Sequence, residues 1–93
     1  MIHTFGDPDT QRLFERCFVR RLDHLADVAL RRLFALDAAK TLSDLRIPPS
    51  NRLEALTGDR KGQHSLRIND QYRVCFRWKE GNAYDVEITK HYR

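Results

Sequence analysis

The sequence predicts an α+β fold in which two N-terminal helices pack on a curved, mostly antiparallel sheet of four or five strands. Three observations carry that reading. Leu22, Leu25, Ala26, Ala29, Leu33 and Leu36 recur at helical spacing and draw one apolar stripe. From Arg52 onward the period changes from helical to two, the signature of strands with one covered face. Tight turns, Asn69-Asp70 and Glu80-Gly81-Asn82, separate those alternating runs, so consecutive strands pair antiparallel.

Met1 to Phe5 alternates weakly and predicts a short edge strand, broken by Gly6-Asp7-Pro8. Asp7 before Pro8 suits an N-cap followed by proline at the first helical position. Leu13, Phe14, Cys17 and Phe18 then keep helical spacing, which predicts a first helix from Pro8 to about Val19. Arg20-Arg21 is a basic junction, and the second helix is expected from about Asp23 to Ala39. Asp23, Asp27, Arg31 and Arg32 offer i,i+4 ion pairs on its wet side, and His24 among them reads as a surface histidine. Thr41 to Leu45 can form one further turn, after which Ile47-Pro48-Pro49-Ser50 should run extended, because proline disfavours helix in its predecessor.

Arg52 to Leu56 predicts a short strand leading to the Gly58 turn. The central hairpin follows, with strands Gln63 to Ile68 and Tyr72 to Trp78. Tyr72, Val74, Phe76 and Trp78 share the face of Leu66 and Ile68, which the helices should cover. Arg67, Arg73 and Arg77 belong to the other face, together with Cys75. By the same parity His64 reads as a packed or edge residue, and Phe76 and Trp78 as core. Tyr84, Val86 and Ile88 define the last strand, ending in Lys90-His91-Tyr92-Arg93.

At 93 residues and 41% hydrophobic content, residues 1–93 read as one domain with a modest core. The formal charge of +4 is unevenly spread: Asp59 to Lys79 holds six basic residues against two acidic. A basic strand face suits a polyanion such as RNA, although an ordinary solvated surface has the same look. The thiols of Cys17 and Cys75 stand alone without a CxxC or Cys/His cluster, so both are expected reduced, with no zinc site and no cofactor. No apolar run approaches the roughly 18 residues of a membrane span, which predicts a soluble, cytoplasmic protein without membrane contact.

Walker loops, GxGxxG, GxSxG and HExxH are all missing, and the acidic residues show no two-metal spacing. The C-terminal half holds Arg, Lys, His, Tyr and Glu instead. Cleaving RNA by attack of its own 2′-OH needs a base, an acid and a cationic clamp on the phosphorane, and no obligatory metal. Arg67 and Arg73 flank the central turn on one face, where two guanidinium forks can converge on one phosphate.

The stretches NRLEALTGDRKGQHSLRINDQYRVCFRW and DVEITKHY, with the N-terminal IHTF and LDAAKTLSDLRIPP, resemble the HigB (plasmid maintenance killer) branch of the RelE/ParE toxin superfamily. The resemblance runs over essentially the whole chain and implies a RelE-like fold. It implies a toxin of a type II toxin–antitoxin system that enters the 30S ribosomal A site and cuts translated mRNA, an mRNA interferase. The implied partner is a helix-turn-helix antitoxin of the HigA type, and operator DNA would be met only through the toxin–antitoxin complex.

Carried over by position, Arg73 in QYR matches the phosphate-clamping arginine, and Arg67 lies where a second basic residue is used. The family's C-terminal motif is commonly Asp-Tyr-His, whereas this chain has Lys90-His91-Tyr92, with ring residues swapped and lysine in place of the acid. Some members place His and Lys where this chain has Glu54 and Thr57. The resemblance therefore implies His91 as general acid or base, Tyr92 stacking or sharing proton transfer, and Lys90 on phosphate. Glu54 is a second candidate base, or a partner for Arg52 or Arg73, and Arg60, Lys61 and Arg77 are candidate RNA contacts. Two other readings stay open: a ParE-like poison of DNA gyrase, and a non-catalytic RNA- or antitoxin-binding module.

Overall fold

Asp7 opens the first helix with its carboxylate, which accepts from the Thr10 amide at 2.6 Å. The computed structural model, which describes residues 1–90, gives this helix as α1, Pro8–Phe14. It is shorter than the apolar spacing predicts. The chain leaves at Arg16 (φ 68°), whose amide donates to the Leu13 carbonyl while Cys17 donates to Arg12. That is a Schellman stop, a position usually held by glycine, so a sequence with arginine there gives no stop signal. Cys17 and Phe18 consequently stand exposed rather than on a buried helical face.

The stripe of Leu22 to Leu36 is continuous in space but not in geometry. Arg20–Leu25 forms a 3₁₀ turn that buries Leu22 and Leu25, and α2 runs over Ala26–Ala38, burying Ala29, Leu33 and Leu36. Helical periodicity does not separate the tighter turn from the α-helix that follows it. The expected Asp/Arg pairs do not form on the exposed side among the described residues. Arg32 turns instead to donate to the Arg67 carbonyl at 2.8 Å. Thr41 and Asp44 cap a second 3₁₀ turn, Leu42–Arg46, by exchanging side-chain and backbone bonds. Ile47 and Pro48 are extended as expected, but Pro49–Asn51 closes into another 3₁₀ turn rather than continuing the extended segment. Buried Asn51 holds this loop, donating to the Leu45 and Ile47 carbonyls.

Four strands follow in simple antiparallel order: β1 (Glu54–Ala55), β2 (His64–Arg67), β3 (Tyr72–Lys79) and β4 (Asn82–Lys90). The N-terminal segment adds isolated parallel bridges to β4 at Ile2–Ala83 and Phe5–Val86, so the weak edge strand is present only as two contacts. Asp37 on α2 accepts from the Ile2 amide and ties that edge to the helical layer. Asn69 closes the β2–β3 turn by accepting from the Gln71 and Tyr72 amides. Glu80 (φ 51°) and Gly81 (φ 80°) make the two-residue β3–β4 turn, where positive φ at both positions matches the right-handed strand twist.

Leu66, Ile68, Val74, Phe76, Val86 and Ile88 meet Leu13, Leu22, Leu25, Leu33 and Leu36 in one buried layer. Thr10 is buried there as well, its hydroxyl accepting from the Ile88 amide, which fixes α1 on β4. His64 packs against Phe76, ring centroids 6.1 Å apart, and Trp78 meets Phe76 edge-on. The helices cover one side of the sheet. Its other side is left open.

Candidate functional site

Alternation along β2, β3 and β4 brings Ser65, Arg67, Arg73, Cys75, Glu87 and Thr89 to the open face. Arg67 lies directly opposite Arg73, and Ser65 opposite Cys75. Glu54, paired with Ser65, continues the second row onto β1. The rows are one strand spacing apart per step, so an acid, a hydroxyl and two guanidinium groups share a small area of sheet.

Two adjoining hollows occupy this face. One, about 440 Å³, is lined by Glu54, Leu56, Thr57, Asp59, Arg60 and Arg73. The other, about 260 Å³, is lined by Arg52, Glu54, Ser65, Arg67, Tyr72 and Arg73 among others. Glu54 and Arg73 belong to both. They stand on the ridge between them.

The arginines differ in how firmly they are held. Arg60 is anchored by Glu87 at 2.7 Å and by Gln63 at 3.0 Å, and the Glu87 bond holds its guanidinium above its ordinary range. Arg67 reaches Asp70 in the turn, a carboxylate whose side chain is 93% exposed, so water competes for that pair. Arg73 is half-buried, and its Nε finds no hydrogen-bond partner among the described residues. The same guanidinium bears on the Cys75 thiol, and no carboxylate pairs with it among the described residues, which leaves its charge available to a phosphate. Beneath these arginines lies Cys75, fully buried. Desolvation pushes its thiol up, against the opposing pull of Arg73 and Arg60. It stays protonated and fills space.

The other expected residues are placed differently. Arg77 lies farther along β3 and faces Asp85 at 3.4 Å. Lys61 is exposed in the turn before β2. Lys90 shares the Tyr72 face and stands 6.0 Å over its ring, on the side of the sheet away from Arg73. The far edge of Tyr72 meets His24, centroids 5.8 Å apart. Glu54 forms no ion pair with Arg52 or Arg73 among the described residues. His91 and Tyr92 lie outside the described residues. No group of three or more His, Cys, Asp or Glu suited to a metal occurs among the described residues, and no helix there is long and apolar enough to cross a membrane.

Sequence reasoning missed Arg52, Ser65 and Tyr72 as lining residues. Strand parity from Glu54 and Arg67 would have found Arg52 and Ser65. Arg32, which braces the Arg67 carbonyl from 35 residues away, leaves no signal in the sequence.

Residues 3–91 match the family described as RelE-like toxin of type II toxin-antitoxin system HigB. Toxin HigB-1 of Vibrio cholerae serotype O1 is 46% identical over 67 residues, covering 72% of this chain and 70% of that protein. An uncharacterized protein of Haemophilus influenzae is 31% identical over 68 residues, 73% of this chain and 67% of its own. Among solved structures, YafQ from E. coli superposes with a TM-score of 0.64 at 14% identity, covering 98% of this chain and 92% of that one. The YoeB-YefM complex from Staphylococcus aureus gives 0.57 at 14% identity, covering 99% of both chains. At such identities these two structures speak for the fold alone.

Proposed function

The chain belongs to the HigB-like family of RelE-type toxins from type II toxin–antitoxin systems, and on that premise we propose that it is a ribosome-dependent endoribonuclease. In this reading it cuts translated mRNA in the A site without a metal ion and is neutralised by an antitoxin of the HigA type. The observation that carries the reading is Arg73: a half-buried guanidinium that pairs with no carboxylate among the described residues and lines, together with Glu54, both hollows of the open face.

The scissile phosphate sits between Arg73 and Arg67, which bear on the charge that develops at phosphorus. The substrate's 2′-oxygen forms a bond to phosphorus, the bond from phosphorus to the 5′-oxygen breaks, and a 2′,3′-cyclic phosphate and a 5′-hydroxyl result. Glu54 accepts the 2′-proton, and a protonated His91, assigned from the family's C-terminal motif, returns a proton to the leaving oxygen. Tyr92, taken from the same motif, stacks on a base or shares proton transfer, and Lys61 and Arg77 lend positive charge to the approach of the polyanion. Arg60, committed to Glu87, shapes the wall of the larger hollow rather than closing on substrate.

The test is mRNA integrity in a translating extract, with EDTA controls that spare ribosome function. Wild type should give ribosome-dependent cuts with 5′-hydroxyl ends, absent with Arg73→Ala and strongly reduced with His91→Ala. Intact mRNA beside arrested growth would refute the nuclease and favour a gyrase poison.

A further inference from the structure

The helical layer carries an apolar surface on the far side of the sheet from Arg67 and Arg73, and nothing in the cleavage reading uses it. The stop at Arg16 throws Phe18 outward, leaving it 67% exposed. On one side of Phe18 is a hollow of about 320 Å³ lined by Leu13, Val19, Ala26 and Leu30, with Arg16, Cys17 and Asp23 completing it. On the other is one of about 370 Å³ lined by Arg12, Arg20 and Arg21 with Asp9. Phe34 is also 38% exposed, with the Arg16 guanidinium 4.9 Å over its ring.

Charge says what fits. Arg21 is held by Asp7 and Asp9, but Arg12, Arg16 and Arg20 meet no carboxylate among the described residues. A second copy of this chain would bring the same arginines against themselves across a two-fold contact. RNA would match the charge, yet Leu13, Val19, Ala26 and Leu30 give the hollow an aliphatic side that branched apolar side chains fill and nucleobases do not need, and Asp23 at its rim repels phosphate.

We propose that this surface receives an acidic, amphipathic segment of the antitoxin, seating an apolar side chain beside Phe18 and carboxylates on Arg12, Arg16 and Arg20. It rests on the toxin–antitoxin reading and not on the nuclease assignment. A partner docked here leaves Arg73 and Glu54 uncovered.

The experiment titrates the purified chain with the antitoxin encoded beside it, using wild type, Phe18→Asp and the Arg16→Glu/Arg20→Glu double variant. Phe18 is a solvent-facing anchor, so its variant should keep the wild-type melting curve and lose about thirtyfold or more in affinity. The double variant should bind more weakly with a flatter salt dependence. Wild-type affinity in both variants would overturn the surface. So would a chain that is dimeric alone and becomes monomeric with Phe18→Asp, or a wild type that ignores that antitoxin. mRNA cleavage assayed on the same preparations reports on the nuclease separately, since its absence leaves the antitoxin titration unaffected.

Discussion

Arg67 and Arg73 face each other directly across β2 and β3, two like charges at the closest spacing an antiparallel sheet provides. Such a pair opposes folding by roughly 0.2–1 kcal/mol, and among the described residues only Arg67 of the two is ion-paired, to the exposed Asp70. An anion between them removes the repulsion. Sulfate or inorganic phosphate should therefore raise the melting temperature more than chloride at equal ionic strength. At roughly ten times its Kd the gain is about 1.4 kcal/mol, several degrees for a chain this size. Arg73→Met keeps the stem over Cys75 and removes the charge. It should match wild type in low salt and lose the sulfate response; an undiminished response would place the anion elsewhere.

Glu54 is the acid that shares both hollows with Arg73. A proton acceptor in the cleavage step contributes about 10²–10⁴ in rate. Glu54→Gln should lower single-turnover mRNA cleavage by that factor while association with ribosomes stays as in wild type. Cleavage at the wild-type rate in Glu54→Gln would move the acceptor role to the C-terminal residues.

The second half of the chain was legible because parity along strands is rigid. Once Asn69-Asp70 is read as a turn, Leu66, Val74 and Phe76 must face the core and Arg67 and Arg73 must oppose them. Helical spacing is a weaker guide. It does not distinguish 3₁₀ from α, so Leu22 and Leu25 matched the stripe although α2 begins after them. Nor does it register a stop built on Arg16 instead of glycine. The family resemblance named Arg73, but only tertiary geometry separates the anchored Arg60 from Arg73, which has no ion pair among the described residues, because Glu87 reaches Arg60 from 27 residues away.

The two thiols should react on different time scales. Cys17 is exposed past the end of α1, whereas Cys75 lies fully buried and is kept protonated by desolvation. A thiol must be both accessible and ionised to react. With an aromatic disulfide reagent at neutral pH, the native chain should release one equivalent quickly and the second only on unfolding. Cys17→Ser should abolish the fast phase. Rapid modification of both would mean that the floor under Arg73 opens readily.

Asp44 ties stability to pH. Its carboxylate accepts from the Lys40 amide at 2.9 Å and the Thr41 amide at 3.1 Å, and those bonds, Lys40's first, hold it below its ordinary range. A folded-state value below the unfolded one means the folded state binds the proton less well. The stabilisation is then fully present above the usual carboxylate range and is lost as pH falls through that range to the folded value. Asp44→Asn lacks the charge and presents one oxygen to the same amides. It should melt a few degrees below wild type at pH 7, the usual scale for a lost cap. As pH falls through the folded-state value, where the native carboxyl is protonated too, the gap should close. A gap that persists unchanged in acid would show that Asp44 acts through its shape rather than its charge.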